Sequence, residues 1–427
     1  MRMAARFLPG SLLLLCLGAS PALEAQLANS TQACNASHWS EPRLLEERRE
    51  DGFEVVDASI AANGRGEIFI AGRGPRVYEN SRWMVAFPFA AYKIDAQGKS
   101  VRLPPPTHDG AYAYPRLAIV NDTVHMFWGE PDSTAVIEVG WEHRHIQPPV
   151  RGIWTASYAG EWTQPEFLGR FFTGSRWREL RYSSRGSSSS SLHTPVATSI
   201  KIIWLGLDGS PAIPDLSYGR AARFYPALAY PGPSEIVFGY IAPEDDYSIY
   251  VVRSSDNGQS WSERVRIAPG PARDVTLVTT NDGLLHAIWN YDPERRRYHG
   301  QQIGYAVSAD TGRSWTAPTY LDPKQQVWKP AVVADREGNL HLIFQDGLFG
   351  PEPPRLRYTT RPAGGDWSRP TLLLGDTVGS RDPELIITNT GELALLFVLQ
   401  LGMRGERRWW GSAVSFLRPG RDCVLSP

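Results

Sequence analysis

Two copies of an eight-residue pattern, SxDxGxxW, constrain this chain more than any other feature. They read Ser254-Ser255-Asp256-Asn257-Gly258-Gln259-Ser260-Trp261 and Ser308-Ala309-Asp310-Thr311-Gly312-Arg313-Ser314-Trp315, 54 residues apart. Each follows a strand-like run, Ile249-Tyr250-Val251-Val252-Arg253 or Ile303-Gly304-Tyr305-Ala306-Val307, and precedes another, which places the pattern in a hairpin turn. In such a turn a short carboxylate accepts backbone N–H groups, glycine takes positive φ, and tryptophan folds back between the strands. Ser254, Asp256, Gly258 and Trp261, with Ser308, Asp310, Gly312 and Trp315, are therefore read as structural residues.

A second pattern recurs more often: an apolar strand, a polar turn with Gly or Asn, then a more apolar strand. The clearest copies run from Pro330 to Phe344 and from Val275 to Trp289. Others begin at Ala58, Pro115, Pro226 and Pro383. The residue at or just before each copy forms a ruler, Asp57, Tyr114, Tyr225, Asp274, Lys329 and Asp382, with steps of 57, 111, 49, 55 and 53 residues. The 111-residue step is about two periods. A degenerate copy is expected inside it, with strands at Thr194-Pro195-Val196-Ala197 and Ile200 to Leu205. Repeats of roughly 50 residues suit four-stranded propeller blades. The expected fold is an all-β propeller of seven blades over residues 57 to 418, or six if Phe171 to His193 is an insertion and the last repeat is shared.

Composition agrees, with 15 Trp, 39 Gly and 34 Pro fitting a turn-rich β protein with aromatic wedges. With 44 Lys+Arg against 45 Asp+Glu, no global field favours nucleic acid or an anionic membrane. Residues 1–25 read as a signal peptide: Arg2 and Arg6, the apolar run Leu12 to Leu17, then small residues for cleavage. That run is too short to span a bilayer, so a secreted protein without membrane insertion is expected. Residues 26–56 form a lead-in to a single domain, 57–427. Cys34 and Cys423 remain near opposite ends of the mature chain, and an exported pair predicts a disulfide that clasps a circular fold. Asn29, Asn35 and Asn121 head NxS/T sequons.

The inner strand of every blade lines a propeller's tunnel, so residues at its start converge on one mouth. The candidates are Asp57, Tyr114, His193, Tyr225, Arg273, Asp274, Trp328, Lys329, Arg381 and Asp382. Arg273-Asp274 and Arg381-Asp382 occupy equivalent places in two blades. A guanidinium fork matches a carboxylate, so Arg273, Arg381 and Lys329 are candidates for an anionic group. Asp57, Asp274 and Asp382 are the acid/base candidates. Tyr114, Tyr225 and Trp328 offer faces for a sugar ring. His125, His286 and His341 recur at equivalent strand positions and are read as packing residues. No metal-ligand spacing, phosphate loop or nucleophile elbow is present, and no cofactor or metal is expected.

The SxDxGxxW pattern is the Asp box, and the chain resembles the sialidase-like, or BNR-repeat, β-propellers. Two worn relatives, Gly160-Glu161-Trp162-Thr163 and Gly365-Asp366-Trp367-Ser368, keep the Gly and Trp. Sialidases have six blades, so a seven-blade count departs from the resemblance. The resemblance implies three arginines holding a substrate carboxylate, an acid/base Asp, and a Tyr nucleophile activated by Glu. Their first arginine lies in a Phe/Tyr-Arg-Ile/Leu-Pro motif on an early inner strand. The nearest string, Val101-Arg102-Leu103-Pro104, is expected on an outer strand, and Tyr114-Pro115-Arg116-Leu117 has its members out of order. The expected function is glycan recognition, with a glycoside hydrolase acting on an acidic sugar as the enzymatic form. The alternative is a non-catalytic propeller that binds carbohydrate or protein.

Overall fold

A computed structural model of the chain describes residues 34–46, 55–73, 77–78, 85–86, 89–95, 98–106, 113–120, 122–131, 150–170, 179–180, 194–197, 202–205, 227–256, 258, 260–293, 302–321, 327–347, 352–375, 378–404 and 407–417. Residues 1–25, expected to be a signal peptide, and His193, Tyr225 and Cys423 lie outside them.

Six four-stranded antiparallel sheets form the blades. The first is built from Val56–Ala62, Ile68–Arg73, Phe89–Ile94 and Ser100–Leu103, and the second from Ala113–Val120, Thr123–Pro131, Val150–Tyr158 and Glu166–Arg170. The third comprises Ala227–Ala229, Ile236–Ala242, Ser248–Ser254 and Val265–Ala268, and the fourth Ala272–Thr279, Leu285–Tyr291, Gln302–Ser308 and Thr319–Leu321. Val327–Ala334, Leu340–Asp346, Arg355–Arg361 and Thr371–Leu372 make the fifth. The sixth takes Ser380–Ile387, Leu393–Arg404 and Arg407–Leu417 from the C-terminal region and its fourth strand, Arg43–Leu44, from the N-terminal lead-in. In that blade Arg43 pairs with Val414 and Leu44 with Ala413.

The favoured count of seven is thereby corrected to six complete blades. The degenerate copy does form strands at Thr194–Ala197 and Ile202–Leu205, but with Glu179–Leu180 they make a three-stranded sheet. Its two paired strands are described over four residues each. The lead-in, whose part in closure the sequence left open, supplies the last blade's outer edge.

The second strands are mostly apolar on both faces, because both faces are covered. In the fourth blade Ala287 and Trp289 pack with third-blade residues such as Val237 and Val251, whereas Ile288 packs with fifth-blade residues such as Leu342 and Phe344. The fifth blade sends Ile343 the other way, toward Leu393, Leu395 and Phe397 of the sixth. The sixth in turn sends Ala394 and Leu396 toward Ile68, Ile70 and Tyr92 of the first. Each such Leu, Ile or Phe contributes about 1.5–3 kcal/mol by leaving water. Gly304 is required in the fourth blade, since a side chain there would begin 2.1 Å from the Trp289 ring.

The two SxDxGxxW turns join third to fourth strands with one hydrogen-bond plan. The Ser254 hydroxyl donates to Asp256 Oδ1 at 2.7 Å and accepts from Gly258 N–H at 2.7 Å; Ser308, Asp310 and Gly312 repeat this at 2.8 and 2.8 Å. Gly258 and Gly312 have φ of 89° and 83°. The residue after the tryptophan closes each turn, Ser262 N–H donating to Arg253 O at 2.8 Å and Thr316 N–H to Val307 O at 2.9 Å. The worn copies keep that closure, from Thr163 to Ser157 and from Ser368 to Thr360, both at 2.8 Å. Hydrogen bonds to Ser260 and Ser314 hold the Asp256 and Asp310 carboxyls down to about 2.

At the same end, the turns between first and second strands are tied blade to blade. Asn281 Nδ2 donates to Arg336 O at 2.8 Å, Arg336 to Asn389 O, Asn389 Nδ2 to Gly64 O at 2.5 Å, and Gly64 N–H to Asp122. These bonds run through the fourth, fifth, sixth, first and second blades in order. The histidines above them are satisfied: His286 Nδ1 and Nε2 meet Tyr305 OH at 2.8 Å and Thr280 Oγ1 at 3.1 Å, and His341 meets Tyr358 OH at 2.7 Å and Asp335 at 3.2 Å.

Burial, followed by the charge of Arg361, lowers His286 from its usual 6.5 to about 4. A depressed histidine is neutral when folded, so the unfolded chain binds the extra proton and stability is lost as pH falls from about 6.5 toward 4. The shift corresponds to about 3 kcal/mol. Chemical denaturation of wild type and His286→Gln at pH 7 and pH 4 should show that loss reduced in the variant; equal losses would refute the assignment.

Candidate active site at the tunnel mouth

The inner strands pack side by side in the order third, fourth, fifth, sixth, first, second. Five of them share an irregularity at one place. Pairing with the second strand skips between Val56 and Ser59, Ala113 and Arg116, Ala272 and Val275, Trp328 and Ala331, and Arg381 and Glu384. The skipped pairs are Asp57-Ala58, Tyr114-Pro115, Arg273-Asp274, Lys329-Pro330 and Asp382-Pro383. A bulge re-aims side chains, and a proline there has no N–H to offer the ladder. The ruler residues thus stand where regular pairing breaks. Asp57 and Tyr114 take this place by backbone alone.

Lys329 and Asp382 have φ of 46° and 55°, a left-handed conformation that non-glycine side chains seldom adopt. They meet across adjacent blades, with Lys329 Nζ 2.6 Å from Asp382 Oδ1. Arg381 NH1 lies 2.6 Å from Asp382 Oδ2, and its guanidinium carbon stands 4.8 Å from the centre of the Trp410 ring. The Asp382 N–H donates to Gln345 Oε1 at 3.2 Å, and Gln345 Nε2 donates to Gly347 O at 2.9 Å. Burial pushes the Asp382 carboxyl up, but the charges and hydrogen bonds of Lys329 and Arg381 outweigh it and leave the carboxyl below the usual range. Asp382 is an anion at neutral pH.

In the fourth blade Arg273 reaches Asp292 at 3.4 Å, and Asp274 accepts from Asn290 Nδ2 at 2.7 Å. Asp274 and Asp292 are buried, at 4% and 0% exposure. In the fifth, Arg357 Nε pairs with buried Asp346. Asn290, Asp292, Gln345 and Asp346 were not among the sequence candidates. They end second strands, and an antiparallel second strand ends level with the start of the first. The sequence signal was the switch from apolar to polar in Trp289-Asn290-Tyr291-Asp292 and Phe344-Gln345-Asp346.

The structure therefore brings Lys329, Arg381 and Asp382 into one group, with Trp328 beside Lys329 in sequence and paired to Gln345 across the sheet. Arg273 and Asp274 are held by partners of their own blade. Arg102 lies on the first blade's outer strand and pairs with Glu46 at 3.3 Å, as expected for Val101 to Pro104. Among the described residues, no three His, Cys, Asp or Glu side chains converge on a metal position, and no helix is long and apolar enough to cross a membrane.

Because Asp382 is depressed, its ion pair contributes stability above the unfolded aspartate value, about 3.9, and that contribution disappears as pH falls through the lower folded value. Lys329→Met should reduce stability at pH 7 by about 1–2 kcal/mol for this part-exposed pair. The gap to wild type should narrow in denaturation series taken below pH 4. A gap independent of pH would exclude the pairing as its source.

Comparison with known proteins gives no matching family model and no match among curated proteins. Among solved structures, a protein of unknown function from Dyadobacter fermentans aligns at a TM-score of 0.51 and 13% identity, covering 89% of this chain and 99% of that one. An α-L-arabinofuranosidase of Fusarium graminearum, complexed with arabinobiose, aligns at 0.48 and 13%, covering 88% and 98%. A mutant of the NanB sialidase from Streptococcus pneumoniae aligns at 0.45 and 12%, covering 88% and 69%. At such identities likeness speaks of fold alone. By its four-stranded blades and its paired SxDxGxxW turns, this chain is a β-propeller in fold.

Proposed function

We propose that the tunnel mouth binds a glycan, with an acidic sugar as the favoured class, and that its enzymatic form is a glycoside hydrolase. The observation that carries this reading is the group Lys329, Asp382 and Arg381, set at bulges on adjacent inner strands with two of its backbone positions left-handed. Strain held at equivalent positions of two blades points to a working site. Alternating cations and carboxylates match hydroxyl-rich ligands, and Trp328 and Trp410 offer faces for a sugar ring. Lys329, Arg381 and Arg273 are assigned to an anionic group on the ligand. Asp382 is assigned the role of resident anion, stabilising positive charge that develops on the sugar. Proton transfer then falls to Asp274 or Asp57.

The alternative, a binding propeller without catalysis, is favoured by the outer-strand position of Arg102, which leaves the sialidase arginine motif without an inner-strand counterpart. A panel of sialosides, uronides and arabinosides separates the two readings. Turnover of one class, reduced on the order of 100-fold or more in Asp382→Ala, supports the hydrolase. Unchanged turnover in that variant removes Asp382 from the mechanism. Binding without turnover, weakened in Lys329→Met, supports the alternative.

The protein is further proposed to be exported by residues 1–25, and Cys34 to be joined to Cys423. Burial of Cys34 and the pairing of Arg43–Leu44 with the last blade support the bridge, because they bring the lead-in beside the chain's C-terminal strand. Peptide mapping of secreted material without reductant should recover one peptide pair containing both cysteines. Recovery of both as free thiols would rule the bridge out.

A further inference from the structure

The described residues also form a cavity far from the mouth, at the end of the molecule that carries the SxDxGxxW turns. It has a volume of about 350 Å³ and lies between the turn of the third blade and that of the fourth. Arg253, Trp261, Arg313, Thr311 and Glu235 are among the residues that line it.

The two arginines are the unusual feature. Arg253 leaves the third strand of its blade and crosses to the next, its Cδ 3.3 Å from where a side chain on Gly312 would start. The Nε of Arg253 is buried without a hydrogen-bond partner. Arg313 makes only long contacts, 3.4 Å to Asp310 O and 3.4 Å to Thr311 Oγ1. Neither guanidinium has a carboxylate within ion-pair distance among the described residues. The two nearby aspartates are committed to the turns, Asp256 to Ser254 and Ser260, and Asp310 to Ser308 and Ser314. Burial and then the charge of Arg313 lower the proton affinity of Arg253, as expected for a cation near another. The charge of Asp310, and then that of Glu235 on the cavity wall, offsets part of this, with no ion pair from either carboxylate to an arginine among the described residues.

Two guanidiniums lining one cavity, with no ion pair to a carboxylate among the described residues, are the donor set of an oxyanion. Trp261 lines the same cavity, with its indole N–H turned to Gly258 O at 3.1 Å. Aromatic side chains beside cations suit a sugar ring that carries a negative group. We infer that this cleft between blades is a second, non-catalytic site for an acidic saccharide, whose sulfate or carboxylate is held by Arg253 and Arg313 beside Trp261. The inference is independent of the function assigned to the mouth.

Calorimetric titration of the full chain with three oligosaccharides tests it: a sulfated one, a polyuronate and a neutral one. Binding of the sulfated or the uronic probe, weakening with added salt, is expected, and the stronger of the two identifies the anion. Arg313→Gln, an exposed substitution that leaves the turn's own bonds intact, should weaken that binding at least about tenfold. Arg253→Gln should do the same. In the Lys329→Met background, where binding at the mouth is weakened, the component of binding lost in Arg313→Gln should persist, which separates this site from the proposed active site. The inference is overturned if neither acidic probe binds, if the neutral probe binds equally well, if Arg313→Gln binds like wild type, or if the component lost in Arg313→Gln is also lost in Lys329→Met.

Discussion

The structure depends on the two-sided burial of the second strand in each blade. Side chains alternate across a strand, so a run such as Leu340-His341-Leu342-Ile343-Phe344 sends Leu342 and Phe344 to one neighbour and Ile343 to the other. A blade on its own would leave one of these faces in water, losing roughly 25 cal/mol for each Å² of apolar surface exposed. No blade is therefore a stable unit by itself, and each requires a neighbour on both sides. That requirement makes a closed arrangement the only satisfactory solution for a chain of such repeats, and it explains why inner strands converge on a shared mouth.

Legibility in the sequence follows the range of the forces involved. The SxDxGxxW turns could be read in full because their bonds close within a few residues, from Ser254 to Asp256, Gly258 and Ser260. The ruler residues could be located because the bulge carries a local mark: proline follows Tyr114, Lys329 and Asp382. The partners of those residues could not. Lys329 meets Asp382 53 positions away, and Asp382 meets Gln345 37 positions away; such separations are fixed by the packing of blades. The blade count failed where the repeat decays. Thr194–Ala197 and Ile202–Leu205 keep strand composition, but among the described residues they belong to a three-stranded sheet.

The mouth and the turn end divide the work of the same strands. At one end, regular pairing is broken in five blades, and in three of them the skipped pair carries charged side chains, Arg273 with Asp274, Lys329 and Asp382, that pair with polar partners. At the other, carboxylates and amides are used up in turns and in the bonds from Asn281 around to Asp122. Rigidity at the turn end stabilises the irregular backbone of the mouth, since Lys329 and Asp382 are held left-handed only if the strands beneath them cannot shift. The arginine cleft is the exception, a place at the rigid end where cations were left without carboxylate partners.

The fourth strand of the sixth blade has a consequence for how the molecule comes into being. Ser40 and Ser415, which share a contact at the seam, stand 375 positions apart, and the strand that receives the seam, Arg407–Leu417, follows every other described strand in the chain. Until that strand emerges, every growing chain is an open arc with an uncovered apolar face at each end. Arcs of this kind are competent to join one another, so the interval before the seam forms is when the protein is most exposed to misassembly. A short N-terminal strand thus acts as a checkpoint on completeness, because a chain truncated before Arg407–Leu417 has nowhere to place it.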